Sequence, residues 1–492
     1  MTAAGARTRF APSPTGRMHV GNLRTALFEY LIAKSLGGTF VLRIEDTDQE
    51  RLVEGAESNI FDTLARVGLV HDEGPDIGGP YAPYVQSQRR HIYLPYAEQL
   101  VAEGKAYCCF CARERLDRLR EAGHASFSGY DRHCRDLPRE EANRLLATGT
   151  PYVIRQKMPL EGTTAFHDAV YGTILVDNHE LEDQILIKSD GFPTYNFANV
   201  IDDHEMHITH VVRGSEYLSS APKYNLLYEA FGWEIPIYVH LPLIVGRNED
   251  GTVSKLSKRH GATTYDDLTD EGFLPEAILN YIALLGWAPG DTRERFTLSE
   301  LVEHFKVSGI SKSPALFDYD KLAWFNAEYL RSMSPEAFLA SAAPYFDKAL
   351  AGRAVDRILL AAILQPRVDR LTAIPGMIAF LGALPAYDIG LYTNKKMKTD
   401  PVLSRDTLTA ALPILEGLAD WVPDRIHDAL VALAEVRGVK NGQVLWPIRI
   451  AVSGTAVTPG GAVEILALLG QEESLQRIRA GIDLLDPAEV RS

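Results

Sequence analysis

The segment APSPTGRMHVGN, residues 11–22, combines residue types that can hold a phosphate group. Pro12 and Pro14 fix the backbone φ angle and remove two N–H donors, so this turn is stiff. Gly21 allows a ligand to approach the backbone closely. A helix that begins here has free N–H groups in its first turn, and such groups attract anions.

His19 lies on the rim of this predicted cradle, and Asn22 can cap the helix that begins there. The pattern is weak on its own, because three fixed positions (His, Gly and Asn) also recur by chance. A structural histidine in a rigid turn is the alternative interpretation of this segment taken alone.

A second candidate segment is SKLSKRHG, residues 254–261, which places Lys255, Ser257 and Lys258 in a short loop beside a glycine. Lysine ammonium groups can neutralise charge on a transferring phosphate, while serine hydroxyl and backbone N–H groups donate hydrogen bonds. A solvated basic loop is the alternative when this segment is considered alone.

A third candidate is the cysteine cluster. The chain has four cysteines in 492 residues, and three of them lie within CCFC at Cys108, Cys109 and Cys111. So few cysteines do not form a disulfide framework. Such crowding in a cytosolic chain indicates a metal site.

Regular elements must position these candidates, and the first fifty residues have the pattern of a βαβ unit. TRFA is a candidate strand, apolar residues recur at helical spacing through 21–38, and TFVLRIED at 39–46 has the pattern of a buried strand. This order predicts a doubly wound parallel sheet. Ligands bind such sheets at the carboxyl ends of strands, where residues 11–22 and RIED both lie.

The rest of the chain divides into segments of different texture. Residues 107–187 hold the cysteines, the charged helical stretch ARERLDRLREAGH and short strand-like segments, so we interpret them as an α+β insertion. Residues 188–264 return to the strands and amphipathic helices of the sheet that begins in 1–106. Helical patterns dominate 265–330 and 331–492. The predicted class is therefore α/β, followed by all-α domains.

Two segments illustrate the helical pattern of the C-terminal part. SPEAFLASAAPYF opens with Ser334 at the N-cap and Pro335 at the first helical position. VPDRIHDALVALAEVRG has Pro423 early and Gly438 at its end.

The composition, 46% apolar and 23% charged, is close to that of a soluble globular protein. No apolar run approaches the roughly 18 residues of a membrane-spanning helix, and MTAAGARTRF lacks the apolar core of a signal peptide. We therefore expect a cytoplasmic protein without a membrane partner. The net charge of −15 argues against a general nucleic-acid-coating protein, although a local basic face can still bind RNA in a salt-sensitive way.

The two loop segments together resemble the paired signatures of the class I aminoacyl-tRNA synthetases. HVGN is similar to the HIGH tetrapeptide and KLSKR to the KMSKS loop, in the family's order. RFAPSPTGRMHVGN, FVLRIEDTDQER, DGFPTYNFANVIDDH and VVRGSEYL resemble the bacterial-type glutamyl branch. The resemblance continues through KLAWFNAEYLR and GQVLWPIRIAVSGTAVTPGGAVEILALLG. The one departure is Asn22, which stands where HIGH has its second histidine.

The resemblance implies a Rossmann-like catalytic domain and a glutamate–tRNA ligase reaction in two steps. Glutamate attacks the α-phosphate of ATP, and the terminal ribose hydroxyl of tRNA(Glu) then takes the glutamyl group. Positioning and charge stabilisation suffice for both steps. The implied catalytic residues are His19, Lys255 and Lys258, and Mg²⁺ is expected with the nucleotide. The implied ATP-binding residues are Ser13, His19, Gly21, Asn22, Lys255, Ser257 and Lys258.

The resemblance also implies how glutamate is read. Arg9 matches the arginine that reads the side-chain carboxylate, and Glu45 matches the acid that pairs with the α-ammonium group. The implied glutamate-binding set is Arg9, Ser13, Glu45, Tyr195, Asn199 and Arg213.

CFC followed by YDRHC resembles the zinc pattern of the insertion in some glutamyl enzymes. Cys109, Cys111 and Cys134 are then ligands of a structural, tetrahedral Zn²⁺. Tyr130 is the favoured fourth ligand, and His133 and Asp136 are alternatives. Buried thiols without metal remain the competing interpretation.

The helical C-terminal domain resembles the bacterial anticodon-binding domain. Arg367 matches a position that can read the third anticodon base, and Glu216 matches a position near the tRNA terminus. The alternatives are a non-discriminating form that also charges tRNA(Gln), a catalytically inactive tRNA-binding paralogue and a shortened relative that modifies tRNA. The family is usually monomeric, so we expect a monomer.

Overall fold

The computed structural model describes residues 5–121 and 130–486. The chain divides into two compact units. The first runs up to Leu268 and includes Ile278–Asp318, and the second combines Thr269–Ala277 with the chain from Tyr319 onward. A search of the described residues finds no helix with the length and apolarity needed to cross a bilayer.

The strands of the described residues are, in chain order, β1 (Arg7–Phe10), β2 (Thr39–Leu42), β3 (Ala106–Cys109), β4 (Val153–Gln156), β5 (Thr163–Asp168), β6 (Gly172–Asp177), β7 (Ile185–Ile187), β8 (His210–Gly214), β9 (Ile237–Leu241), β10 (Ile244–Arg247), β11 (Val253–Lys255) and β12 (Ala315–Leu316).

The α-helices are α1 (Val20–Ser35), α2 (Ala56–Arg66), α3 (Arg90–Ala102), α4 (Arg113–Glu121), α5 (Arg139–Ala147), α6 (Tyr195–Glu205), α7 (Ala221–Phe231), α8 (Tyr265–Asp270), α9 (Pro275–Ala283), α10 (Leu298–His304), α11 (Tyr319–Ser332), α12 (Pro335–Leu350), α13 (Arg357–Leu364), α14 (Ile374–Gly382), α15 (Pro401–Glu416), α16 (Pro423–Val436), α17 (Asn441–Ser453), α18 (Ala462–Leu469) and α19 (Gln471–Leu484).

The parallel pairs β1–β2 and β8–β9 form the framework of the first unit. β1 lies beside the start of β8, because the Thr209 N–H donates to the Arg7 carbonyl at 2.9 Å. The last three residues of both β1 and β2 are buried, and the buried face of α1 packs on β1, β2 and β8. This arrangement confirms the predicted α/β class with parallel strands.

The strand predicted for residues 39–46 is shorter than expected. β2 ends at Leu42, opposite Phe10, because Pro12 has no N–H with which to continue the ladder. The chain beyond it stays ordered: the Glu45 N–H donates to the Pro12 carbonyl at 3.0 Å, and Ile44 bridges Val85 on the other side. Pro12 and Glu45 therefore both lie at the carboxyl edge of the sheet.

The segment predicted to be an insertion contributes strands to two sheets. Strands β3, β4 and β7 pair antiparallel, and the β5–β6 hairpin joins the β8–β9 sheet through a parallel contact between Asp168 and Tyr238. Helix α4 accounts for the charged helical stretch as far as Glu121. The end of that prediction, residues 122–124, lies outside the described residues.

The second unit is helical, as predicted. The Ser334 hydroxyl accepts from the Ala337 N–H at 3.2 Å, with Pro335 in the first turn of α12. The stop predicted at Gly438 has a φ of +64°, which a glycine adopts readily. Apolar faces of α12–α19 enclose one buried core.

Candidate active site

The first unit contains a cavity of about 420 Å³ at the carboxyl ends of β1 and β8. The start of α1 and the β10–β11 hairpin complete its walls. Ten of the predicted site residues line this cavity: Arg9, Ser13, His19, Gly21, Asn22, Glu45, Tyr195, Arg213, Glu216 and Lys255. The geometry therefore gathers residues from five separate parts of the sequence into one site.

His19 itself is the N-cap of α1, and the prediction that Asn22 caps this helix is wrong. The helix begins at Val20, and the His19 Nδ1 accepts from the Gly21 N–H at 3.0 Å. The side-chain acceptor for a free N–H of the first turn is therefore His19 and not Asn22. In the neutral ring the proton then lies on Nε2. Burial is the main cause that lowers the pKa of His19, and the positive charge of Lys255 lowers it further. A neutral N–H donor therefore lies on the cavity wall.

A short strap, formed by the pairing of Met18–Val20 with Thr263–Tyr265, fixes the position of this histidine. The Val20 N–H donates to the Thr263 carbonyl at 2.9 Å, and the Tyr265 N–H donates to the Met18 carbonyl at the same distance. His19 and Thr264 form an isolated antiparallel bridge between these two bonds. The residues after the basic loop are therefore hydrogen-bonded directly to the histidine turn.

Arg213 is a buried cation on the cavity wall. Its guanidinium lies 4.8 Å from the centre of the Tyr224 ring and 5.5 Å from that of Tyr217. Only 6% of the residue is exposed, and among the described residues its Nε and Nη1 atoms have no hydrogen-bond partner. A buried guanidinium without a counter-ion is a strong receptor for a carboxylate.

Arg9, by contrast, already has two acidic partners. Its Nε donates to Asp203 at 2.9 Å and its Nη1 to Glu29 at 3.1 Å, and all three side chains are buried. Three arginines line the cavity. Arg9 is neutralised by acids, Arg24 donates to backbone carbonyls, and Arg213 has no acidic contact among the described residues.

Glu45 is the buried acid of the cavity. Its Oε1 accepts from Arg43 Nη2 at 2.8 Å, and Arg43 also contacts Asp203 at 2.8 Å. Burial raises the pKa of Glu45, while the Arg43 charge opposes that rise. Asp203 consequently links Arg9 to Arg43, and through Arg43 to Glu45, in one chain of charges beneath the cavity.

The basic loop reaches the cavity through Lys255. The Lys255 Nζ contacts Glu216 Oε1 at 3.0 Å, and both side chains are partly solvent-exposed. The side chain of Lys258 lies outside the described part of the structure. His260 organises the loop: its ring contacts Asn248 Oδ1 at 2.9 Å and the Ser257 N–H at 3.1 Å.

Three described residues of the predicted site do not line the cavity. Asn199 is buried on α6, one turn after Tyr195. Ser257 turns towards His260. Arg367 belongs to the second unit, where it is exposed after α13 and donates to the Ile363 carbonyl at 2.8 Å.

A second candidate site is formed by three thiols. The sulfur atoms of Cys109, Cys111 and Cys134 lie within 4.8 Å of one another, and those of Cys111 and Cys134 are 3.5 Å apart. Tetrahedral Zn²⁺ with Zn–S bonds of about 2.3 Å places its sulfurs ~3.8 Å apart. The hydrogen bond between Cys109 and Cys134 lowers the pKa of the Cys109 thiol and raises the pKa of the Cys134 thiol.

Tyr130 completes this cluster. Its hydroxyl lies 3.2 Å from Cys109 Sγ and 3.6 Å from Cys111 Sγ, and it accepts from the Cys134 N–H at 2.8 Å. His133, one of the alternatives for a fourth ligand, is solvent-exposed, and so is Asp136. The donor set of three thiols and one phenol fits a closed, four-coordinate metal site.

Sequence reasoning missed the residues that support the cavity from behind. Glu29, Arg43 and Asp203 are buried and ionisable, and none was assigned a role. One signal was available for Glu29, because it lies among apolar residues on the buried face of α1. The contact of Asp203 with Arg9 joins residues far apart in sequence, and spacing does not reveal such a pair.

Two family models and several named proteins match this chain. The family model described as "tRNA synthetases class I (E and Q), catalytic domain" matches residues 6–324, and that described as "Anticodon binding domain" matches 321–482. A protein named glutamate–tRNA ligase from Clostridium novyi (strain NT) is 55% identical over 491 residues, which is 99% of this chain and 100% of that protein. A protein of the same name from Clostridium botulinum (strain Hall) is 57% identical over 482 residues, or 97% of this chain and 98% of that one.

Solved structures agree with these matches. The crystal structure of a glutamate tRNA ligase from Elizabethkingia meningosepticum, in complex with its amino acid, has a TM-score of 0.87 and 38% identity. It covers 98% of this chain and 100% of the solved chain.

Proposed function

Because this chain belongs to the class I tRNA synthetases of the glutamate and glutamine type, we propose that it is a glutamate–tRNA ligase. In the first step a glutamate α-carboxylate oxygen bonds to the α-phosphorus of ATP, and pyrophosphate leaves. In the second step the terminal ribose hydroxyl of tRNA attacks the carbonyl of the adenylate, and AMP leaves. Both steps depend on positioning and charge stabilisation rather than on a protein nucleophile.

The observation that carries this proposal is the pair of arginines in the cavity. Arg213 offers a guanidinium that has no acidic contact within the described ranges, and Arg9 lines the same cavity from β1. A side-chain carboxylate satisfies such a cation, whereas the glutamine amide leaves it without a counter-ion. Glu45 takes the α-ammonium group, with Ser13, Tyr195 and Asn199 completing the amino-acid pocket. This arrangement supports glutamate as the substrate.

The ATP end of the same cavity uses the two motif segments. His19 donates from Nε2 to the phosphates, and Gly21 with Asn22 lets the nucleotide lie against the first turn of α1. Lys255, Ser257 and Lys258 stabilise the charge that develops on pyrophosphate. The Lys255–Glu216 ion pair must open for this, and it costs little because it is exposed.

Two metal ions belong to the proposal. Cys109, Cys111, Cys134 and Tyr130 would hold Zn²⁺, which would stabilise the fold around these residues and take no part in the reaction. Mg²⁺ accompanies ATP. Bound with the triphosphate, Mg²⁺ would neutralise part of the phosphate charge.

We assign the tRNA to both compact units. The segment 107–187 contacts the acceptor end, with Glu216 near the tRNA terminus, and Arg367 reads the third anticodon base. The proposed domains are 1–106 with 188–264 for catalysis, 107–187 for the acceptor end, 265–330 for the stem and 331–492 for the anticodon.

Charging of purified tRNA(Glu) and tRNA(Gln) with labelled glutamate tests the function. We expect charging of tRNA(Glu) that depends on ATP, and pyrophosphate exchange when tRNA is present. Charging of both tRNAs identifies the non-discriminating form. Absence of both charging and exchange, with tRNA still bound, would refute the proposal in favour of an inactive tRNA-binding protein.

A further inference from the structure

A buried acid lies directly behind the wall of the cavity. Glu29 is in the middle of α1 and is completely inaccessible to solvent. Its Oε1 accepts from Arg9 Nη1 and from the Val212 N–H, both at 3.1 Å, and Arg9 and Val212 both line the cavity. Glu29 therefore touches the cavity wall without reaching the cavity.

The second oxygen of this carboxylate is unsatisfied. Among the described residues Glu29 Oε2 has no hydrogen-bond partner. A buried carboxylate oxygen without a donor is costly while the group is charged, and it is the natural position for a proton. The arginine that Glu29 faces is meanwhile neutralised by a better-placed acid, because Asp203 accepts from Arg9 Nε at 2.9 Å and from Arg43 as well.

The charged groups around Glu29 come from three neighbouring elements. Arg9 of β1 and Arg213 of β8 favour the carboxylate, and Asp203 of α6 disfavours it. β2 also packs on α1 but contains no ionisable side chain. α10 also packs against α1, and Phe305, which follows α10, contacts Phe28. The ionisable groups of α10 are turned away: Glu300 bonds to Arg293, Glu303 is exposed and His304 bonds to a backbone carbonyl.

Burial dominates this balance and raises the pKa of Glu29 to about 8. A substrate carboxylate between Arg9 and Arg213 would be a third negative charge on the same two cations. Its arrival removes part of the stabilisation that both arginines give to Glu29, so the pKa of Glu29 must rise further.

We propose that Glu29 is a positioning residue of the amino-acid pocket that takes up one proton on Oε2 when glutamate binds. This inference rests on the proposed function of the cavity. The proton comes from solvent, and Oε1 keeps its bonds to Arg9 and to the Val212 N–H. The protonated acid holds Arg9 in place while releasing its charge to the substrate. Glutamate affinity is therefore highest below pH 8 and falls as the pH rises through this value.

Calorimetry on the full chain tests the proton directly. Glutamate is titrated into the protein at several pH values, each in buffers of different ionisation enthalpy, and the buffer dependence gives the protons taken up. We expect about 0.5–0.7 proton at pH 8.5 and about 0.1 at pH 7, since linkage follows the free-state pKa. Binding of glutamate without proton uptake at pH 8.5 would overturn the inference.

The variant Glu29→Gln keeps the shape and one acceptor but cannot be protonated. In wild-type protein the KM for glutamate should rise about tenfold from pH 7 to pH 9, and in Glu29→Gln it should be nearly constant over this range. The matched control is Glu73→Gln, which removes the acid facing Arg7 on the same strand, outside the cavity lining, and should retain the wild-type rise.

A purely structural role predicts a different result, in which Glu29→Gln raises KM by one factor at every pH and keeps the tenfold rise. That outcome contradicts the proposal. If Glu29→Gln does not fold, the wild-type calorimetry still decides. A wild-type protein that charges no tRNA with glutamate refutes the proposed function, whereas charging without proton uptake refutes only the role of Glu29.

Discussion

At the scale of single residues, His19 serves two purposes that are usually separate. Its Nδ1 caps α1 and its Nε2 carries the proton that faces the cavity, so the capping bond selects the tautomer that can donate to a phosphate. The lowered pKa keeps the ring neutral at physiological pH, and a neutral ring is what the Nδ1 acceptor requires.

The two purposes of His19 can be separated by substitution. His19→Asn keeps a good N-cap and loses the Nε2 donor, so pyrophosphate exchange should fall about 10²- to 10³-fold with little change in unfolding free energy. His19→Ala should lose the same activity and about 1 kcal/mol of stability as well. Exchange kinetics and urea unfolding measure both. Equal stability loss in the two variants would mean that the cap contributes nothing.

Arg213 provides a test of substrate recognition. Arg213→Gln should raise the KM for glutamate at least ~30-fold, because truncating one partner of a buried charge pair costs about 2–5 kcal/mol. The KM for ATP should change less than about twofold. Arg66→Gln, which replaces an exposed arginine at the end of α2, is the control and should leave both values unchanged. A comparable rise in the KM for ATP would show that the pocket assignment is wrong.

At the scale of elements, the chain around the thiols depends on a small cluster of buried side chains. Strand β3 ends at Cys109, and the thiols of Cys111 and Cys134 approach it from the following chain. The buried cluster here is small, with Tyr107 and Tyr130 beside the thiols. A metal that joins these segments supplies stability that packing alone does not.

Metal analysis with matched cysteine variants tests this arrangement. The purified protein should contain about one zinc per chain, and Cys111→Ser should lose it together with several degrees of melting temperature. Cys108→Ser, one residue from the cluster but outside it, should retain both. Tyr130→Phe should weaken zinc binding while leaving three thiols. Full zinc content in Cys111→Ser would refute the assigned ligands.

Features that depend on residues close together in the sequence could be predicted, whereas features that depend on contacts between distant residues could not. The cap of α12 was predictable because Ser334 and Pro335 act within one turn. The cap of α1 was not, because the imidazole of His19 competes with the amide of Asn22 for the same role. The two motif segments were identifiable as one site by family resemblance. The acids behind Arg9 were not identifiable, since their contacts arise only in the folded sheet.

At the scale of the whole molecule, an acidic chain must bind an acidic partner. The net charge is −15, and of the two proposed tRNA contacts Arg367 is basic, whereas Glu216 is an acid whose charge is offset by Lys255. Electrostatic attraction then comes from limited patches, and the remaining surface repels the nucleic acid.

Salt should therefore affect the KM for tRNA and the KM for glutamate differently. Between 50 and 200 mM monovalent salt the KM for tRNA should rise about three- to fourfold for every phosphate contact, because each contact releases condensed counterions. The KM for glutamate should hardly change, because its charged partners are buried and poorly screened. Charging kinetics at four salt concentrations measure both values. Parallel salt dependence of the two would contradict a buried amino-acid pocket.

The strap between Met18–Val20 and Thr263–Tyr265 has a consequence for how this sequence can vary in length. Closing a loop costs an entropy that grows only with the logarithm of its length, so doubling the chain between these two contacts costs about 0.6 kcal/mol. Two hydrogen bonds hold the histidine turn to the chain that follows the basic loop. The histidine and the basic loop can therefore remain neighbours when the length of the intervening chain changes.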